Sequence, residues 1–386
     1  MTKRSIVLLG LLLMIGFTYH AEAQEPGKEK MDTKYLLEKN DKNGDGKLSI
    51  EEFPENKRNY FNTIDTDGDG FMTRQEEKVY RKGTPEERAR EKEEKGVIER
   101  RTEFDGDTRI ERDIIYAVEE GRKLPLDLYI PEKEEAKGEA LPVVLWFHGG
   151  GWKGGSRGNG GIARNLVEYG YIVASIEYRL SGEALFPAQV QDSKSAVRWV
   201  RANADRYGFD PDHIGVMGRS AGGHLVAFLG TTGDIAEYGT ESNAEYSSKV
   251  QAVVDLWGPT DILQMDDHSL PGSREAHNSA SSPEGRLLGG PIQEEPYRSM
   301  AVKVNPIIYI KKGQNLPPFL IVHGDNDLSV PVHQSKILHA ALKEAGAEST
   351  LHIEKGAGHG LRDGEMDYDE LCKFAADFFD RHLRNQ

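Results

Sequence analysis

"GRSAGGH", residues 218–224, sets Ser220 between glycines two positions to either side. Either this serine is a nucleophile on a tight turn, or it is a small residue in a flexible loop. The G-x-S-x-G pattern alone does not choose, because the chain holds 42 glycines and a second match, "GGSRG", around Ser156. The flanks do choose. "HIGVMG" (213–218) is an apolar, strand-like run that leads directly into Ser220, and "AGGHLVAFLG" opens a helical pattern after it. A strand–turn–helix elbow pushes a hydroxyl clear of the sheet, and small neighbours allow the close backbone approach that such a turn needs. Ser156 has no strand immediately before it and lies among Gly, Arg and Asn, so it reads as loop.

Outward from the elbow, eight strand-like runs can be counted. They are "IERDIIYAV" (110–118), "LPLDLYI" (124–130), "LPVVLWFH" (141–148), "YIVASIEY" (171–178), residues 213–218, "VQAVVDLWG" (250–258), "PFLIVHG" (318–324) and "STLHIEK" (349–355). Helical stretches fall at 188–207, 221–230, 333–345 and 368–384. The central runs are continuously apolar, as in a parallel sheet covered on both faces, while the first two alternate and suit an antiparallel edge. The pattern predicts an α/β domain over residues 104–386, with a doubly wound, mostly parallel, eight-stranded sheet. Residues 262–312 are polar, rich in Ser, Pro and Gly, and too long for a bare connection, so an insertion over the active face is expected there.

A serine hydroxyl is a weak nucleophile until a base takes its proton, and the base needs a third group to orient it. After the seventh run comes "VHGDNDLSVP" with Asp327, and after the eighth "KGAGHGL" with His359. Serine, acid and histidine thus follow strands five, seven and eight, the chain order of an elbow-type hydrolase. Asp325 competes for the acid role but suits a turn hydrogen bond better, while His224, His323 and His352 read as structural. "WFHGGGW" (146–152) leaves the third strand with three glycines whose amides can turn inward, and the Ala221 amide would complete an oxyanion hole. A phosphate loop is the rival reading, but its glycine–lysine spacing does not occur here and Trp152 follows where a helix start would be needed.

Together "HGGGW", "YRLSGEALFPAQVQD", "GRSAGGH" and "HGDNDLSVP" resemble the α/β-hydrolase carboxylesterases of the feruloyl and acetyl-xylan esterase type, and the hormone-sensitive-lipase-like esterases. The resemblance, over about 110–386, implies Ser220 as nucleophile, Asp327 as acid and His359 as base. It also implies Gly150, Gly151 and Ala221 as oxyanion donors, no cofactor for catalysis, and an ester substrate such as an acylated polysaccharide. Arg219 departs from the lipase-like branch, which usually has an acidic residue there. A serine peptidase on the same fold, or a calcium-binding scaffold with an inactive hydrolase domain, stands as the alternative.

Residues 31–80 carry a different signal. "DKNGDGKLSIEE" (41–52) and "DTDGDGFMTRQE" (65–76) each fit the twelve-residue calcium loop, with oxygen ligands at positions 1, 3, 5 and 12, glycine at 6 and an apolar residue at 8. The ligands are Asp41, Asn43, Asp45, the Lys47 carbonyl and Glu52 in one loop, and Asp65, Asp67, Asp69, the Phe71 carbonyl and Glu76 in the other. They resemble a paired, all-α EF-hand in which Ca2+ has a structural role, since only 12 residues separate the loops. Residues 81–103 are dominated by charge and read as a solvated helix or linker.

The first 23 residues hold Lys3 and Arg4, an apolar run from Ile6 to Phe17, then Ala21 and Ala23. That run is short for a membrane span and suits a secretory signal cleaved after Ala23. Export to the periplasm or beyond, without a membrane-spanning segment, is therefore expected. The net charge of −15, moving to −16 once two basic residues and one acidic one are removed, argues against nucleic acid. Cys372 stands alone, which excludes an internal disulfide, and its amphipathic setting predicts burial.

Overall fold

The computed structural model describes residues 36–55, 58, 61–65, 69–74, 76, 77, 80, 102–132, 140–233, 235–273 and 276–384. The expected signal segment at 1–23 and nearly all of the charged stretch 81–103 lie outside the described residues. The chain divides into two compact units, Met1–Ile98 and Glu99–Gln386.

In the smaller unit, helix Leu36–Asn40 precedes the first acidic loop and helix Phe61–Ile64 precedes the second. The unit is not all helix: strands β1 (Lys47–Ser49) and β2 (Phe71–Thr73) pair antiparallel, with Leu48 opposite Met72. These are the two apolar position-8 residues, and both are fully buried beside Leu37, Phe53, Phe61 and Ile64. The ladder joins the loops because each loop exit has one extended residue pair to satisfy.

The larger unit holds one nine-stranded sheet in the order β11-β10-β9-β8-β6-β7-β5-β4-β3. Its strands are β3 (Thr102–Asp105), β4 (Thr108–Glu119), β5 (Arg122–Pro131), β6 (Leu141–Phe147), β7 (Ile172–Ile176), β8 (Phe209–Arg219), β9 (Ala252–Leu256), β10 (Phe319–Gly324) and β11 (Ser349–Glu354). From β11 to β7 all pairings are parallel, whereas β5, β4 and β3 are antiparallel. The ninth strand corrects the expected eight. It begins at Thr102, inside the stretch expected to be linker, and a Gly106–Asp107 turn folds it onto β4, Asp105 opposite Thr108. A two-residue Gly-Asp turn of this kind is a hairpin signal that a four-residue strand beside a charge run obscures.

Two apolar layers cover the sheet, which is why its central strands lack alternation. Val143, Leu145 and Phe147 point to the layer that holds Val197, Leu225, Phe228 and Leu338. Val144 and Trp146 point to the opposite layer, with Leu166, Phe378 and Phe379. Helices Ala188–Ala202, Ala221–Thr232 and His333–Ala345 form the first layer, and Tyr368–Leu383 lies in the second. Cys372 is fully buried there, and burial pushes its thiol up to about 12. The "YRL…PAQVQD" motif has a positional role: the Arg179 guanidinium forks onto buried Asp192 at 2.8 and 3.0 Å, tying the end of β7 to the helix beside it. Removing one partner of such a buried pair costs roughly 3–5 kcal/mol.

Candidate active site

The elbow is built by steric necessity. Ser220 sits at φ 52°, ψ −122°, a conformation costing roughly 1–3 kcal/mol for a residue with a side chain. Its amide donates to Leu256 O at 2.8 Å, which helps hold the strained turn. A Cβ at Gly222 would lie 2.1 Å from Phe147 O, and one at Gly218 would lie 2.3 Å from Gly222 O. The two glycines of the pattern are therefore required by close backbone approach, and the nucleophile helix packs directly on the end of β6. Ser156, by contrast, is exposed, and its Oγ accepts from Gly158 N of its own loop at 3.3 Å.

The parallel strands bring the other predicted residues to the same edge. His359 Nε2 lies 3.2 Å from Ser220 Oγ, and His359 Nδ1 lies 2.7 Å from Asp327 Oδ2. A carboxylate can only accept, so Nδ1 carries the proton and Nε2 is free to accept from the serine hydroxyl. Asp327 is 1% exposed, and its other oxygen accepts from the amides of Ser329 and Val330 at 2.8 and 2.9 Å. Burial would raise this carboxyl, but hydrogen bonds from His323 and His359 outweigh it and hold the group well below the usual carboxylate range. It remains an anion facing the base.

His323, expected to be structural, also contacts the acid. Its Nδ1 meets Ser335 Oγ at 2.7 Å, and its Nε2 meets both Val330 O at 2.9 Å and Asp327 Oδ2 at 3.3 Å. The carbonyl only accepts, so Nε2–H is shared between it and the acid. The spacing in "HGDND" could have pointed to this, since His323 ends the strand four residues before Asp327. Asp325 takes the turn role expected of it: its Oδ1 accepts from Gly356 N at 2.6 Å and ties the acid loop to the base loop. Glu354 braces the same loop by accepting from Glu365 N and Met366 N. His224 donates to Val304 O at 2.9 Å, and full burial lowers it to about 4, so it stays neutral. His352 pairs with Glu354 at 3.0 Å.

Gly149, Gly150, Gly151, Ser220, Ala221, Trp257, Pro283 and His359 line one cavity of about 490 Å³. Gly150 has φ 121°, and a Cβ there would lie 2.3 Å from Gly154 O, so the loop turns back on itself only without a side chain. Among the described residues, no acceptor takes the amides of Gly150, Gly151 or Ala221, which leaves them for a ligand oxygen. His148 supports the loop from beneath, donating from Nδ1 to Gly149 O at 2.8 Å and stacking on Tyr178 at 4.3 Å. Residues 262–312 do reach this face. Pro283 stands 2.9 Å from where a Gly151 Cβ would be, at the start of the short helix Pro283–Leu288.

One acidic group near the elbow has no catalytic partner. Asp255, buried at the end of β9, accepts from Gly258 N at 3.0 Å, and its Oδ2 has no partner among the described residues. Burial pushes it up to about 7, against the amide that pulls the other way.

In the smaller unit the loop oxygens are engaged by their own backbone. Asp41 accepts from Gly44 N and Gly46 N at 2.7 and 2.9 Å, Asn43 from Asp45 N, Asp45 from Lys47 N, and Glu52 from Ser49 N. Asp65 likewise accepts from Gly70 N, Asp69 from Phe71 N and Glu76 from Thr73 N. Asp67 lies outside the described residues. Among the described residues no three carboxylate or imidazole groups converge on one point. The donor set is nonetheless all oxygen at positions 1, 3, 5, 7 and 12, with Gly46 and Gly70 at φ 81° and 84° making the sharp turn, and so it fits a hard cation.

A family model described as BD-FAE matches residues 126–342, and one described as EF hand matches residues 36–54 and 57–76. Esterase LipC of Mycobacterium tuberculosis is 34% identical over 57% of this chain and 53% of that protein. The chain spans about half the length of the curated relatives it matches. A truncated form of carbohydrate esterase from gut microbiota is 32% identical with a TM-score of 0.62, over 73% of this chain and 99% of that one. An acetyl ester-xyloside bifunctional hydrolase from Caldicellulosiruptor lactoaceticus is 25% identical with a TM-score of 0.55, over 67% of this chain and 88% of that one. The BD-FAE match covers more than half of the residues and takes in the glycine loop, the elbow and the acid. This chain belongs to the BD-FAE family, and it carries EF-hand motifs ahead of that domain.

Proposed function

We propose that this chain is an exported serine carboxylesterase that hydrolyses acetyl or feruloyl esters of polysaccharides, or short-chain and aryl esters, through an acyl-enzyme. The observation that carries the reading is the relay from Ser220 Oγ through His359 to buried Asp327, at 3.2 and 2.7 Å, opening on a cavity lined by glycine amides. In this reading His359 Nε2 takes the Ser220 proton as Oγ attacks the ester carbonyl, and the amides of Gly150, Gly151 and Ala221 receive the developing oxyanion. Asp327 stabilises the imidazolium, which returns its proton to the departing alkoxide. Water, deprotonated by the same nitrogen, then attacks the acyl-serine, and the imidazolium returns that proton to the departing Ser220 Oγ as the acid is released. The carbohydrate esterase and acetyl ester-xyloside hydrolase neighbours support a glycan-borne ester. The charged and apolar pattern of residues 1–23 supports export.

Ca2+, held by Asp41, Asn43, Asp45, Lys47 O and Glu52 in one loop and by Asp65, Asp67, Asp69, Phe71 O and Glu76 in the other, would supply cross-linking charge to the small unit and none of the ester chemistry. Replacing Ser220→Ala is expected to lower kcat on 4-nitrophenyl acetate by about 10⁴-fold or more with the circular dichroism spectrum unchanged. Undiminished turnover would overturn the reading. A panel of acetylated xylan, methyl ferulate and nitrophenyl esters would then rank the acyl and alcohol groups.

A further inference from the structure

The rim of the catalytic cavity carries a charge pattern that ester hydrolysis itself does not use. Lys153, Arg219 and Arg362 all line it, and all three are exposed. Among the described residues none of the three has an ion pair or a side-chain hydrogen bond. By contrast, Arg109, Arg112, Arg157, Arg164 and Arg179 of the same domain each meet at least one carboxylate. It is also unlike the chain as a whole, whose net charge is −15. The carboxylate that lines the cavity, Glu284, is buried and lies 3.2 Å from His277 Nδ1.

The three cations come from three segments that build the reaction centre, the glycine loop, the end of β8 and the loop of His359. Lys153 leaves the glycine loop, and its Cε would lie 3.8 Å from a Cβ at Gly151. Arg219 is the residue before the nucleophile, with its Cγ 3.3 Å from where a Gly149 Cβ would stand. Arg362 follows the base by three residues. Its carbonyl accepts from Gly358 N at 2.7 Å, and its neighbours Leu361 and Asp363 have φ 57° and 64°, so its loop is tightly folded. Like charges around one cleft repel one another and raise the local potential until an anion enters. Guanidinium groups receive a carboxylate or sulfate through paired N–H donors.

We propose that the substrate is an anionic ester, with a carboxylate or sulfate close to the scissile bond that is received by Arg219, Arg362 and Lys153. The inference rests on the esterase reading above and narrows its substrate class. The anion can belong to the acyl group or to the sugar that bears the ester, and two matched pairs of esters separate these sources. 4-Nitrophenyl hemisuccinate against 4-nitrophenyl butyrate tests the acyl side. Acetylated polygalacturonate against acetylated xylan tests the alcohol side.

In the full-length protein at low salt, kcat/KM is expected to favour the charged member of one pair by about tenfold or more, as one charge-assisted contact gives. The selectivity is expected to fall with added salt and to reverse in the double charge-reversal variant Arg219→Glu, Arg362→Glu. Preference for the hemisuccinate assigns the anion to the acyl group, and preference for the polygalacturonate assigns it to the sugar. Turnover of both pairs with no preference for the charged member, or a preference that charge reversal leaves intact, overturns the inference while the esterase reading stands. Failure of the wild-type protein to hydrolyse any of the four esters overturns both.

Discussion

The elbow of the larger unit and the acidic loops of the smaller one organise polar groups in opposite ways. At the elbow, Ser220 is held in a strained conformation by glycines that admit no Cβ, and its partners His359 and Asp327 belong to other strand ends. In the acidic loops, Asp41, Asp45, Asp65 and Glu52 are satisfied by amides within a few residues of themselves. The first site is set by burial and packing, so it exists before a ligand arrives. The second is drawn together by local turns, and in the proposed function Ca2+ would bring its oxygens to one point. Preorganised electrostatics suit catalysis, whereas oxygens held by local turns suit the ion binding proposed for these loops.

The largest effect that would sharpen this contrast is at the acid. Asp327→Asn should lower kcat on a nitrophenyl ester by about 10³–10⁴-fold with little change in KM, because His359 would lose its tautomer and its counter-charge. Steady-state kinetics checks it, and a loss under tenfold would mean that the relay is not what drives turnover.

Next in size is the buried acid below the elbow. Asp255 has its carboxyl raised to about 7 in the folded chain, so the native state binds the proton more tightly than the unfolded chain does. Its contribution is therefore full below the unfolded value near 4 and is lost as pH rises through 7. Asp255→Asn should make stability less dependent on pH between 4 and 8, gaining up to about 4 kcal/mol relative to wild type at the upper end. Urea unfolding at several pH values measures this, and parallel curves for the two proteins would contradict it.

The smaller unit should respond to metal alone. Saturating Ca2+ should stabilise it by about 3 kcal/mol when the free ion is a hundredfold above Kd, and chelation should lower the first thermal transition by that amount. Calorimetry with parallel ester assays checks both halves of the expectation: turnover should stay within about twofold throughout. A rate that followed calcium would tie the two kinds of site together.

The smallest effect expected is at His323, which touches the acid and not the substrate. His323→Gln should cost about tenfold in kcat, the worth of one hydrogen bond to a charged group, at unchanged KM. An equal fall in kcat for every buried histidine, His224 included, would mark it as a general packing effect instead.

The same contrast governs how much of the fold is legible in the sequence. The central strands are legible because their apolar runs are continuous, as two covering layers demand, and the first two runs because they alternate. The elbow around Ser220 is legible because a Cβ at Gly222 would collide with Phe147 O at 2.1 Å, so the pattern itself records the turn. Asp327 and His359 were legible because parallel strand ends gather at one edge. Thr102–Asp105 was missed because four residues carry no periodicity against a charged background. The contact of His323 with the acid carries only a weak signal, the four-residue spacing in "HGDND", which a strand residue that only packs could share. Lys153 and Arg362 were lost among 49 lysines and arginines, since their loops come together only in the fold.

The most direct test of the central claim is covalent capture. A fluorophosphonate or organophosphate should react with the wild-type protein at a single residue, identified by peptide mass spectrometry as Ser220, with loss of ester turnover in proportion to labelling. Labelling at Ser156, or full inactivation without modification of Ser220, would contradict it.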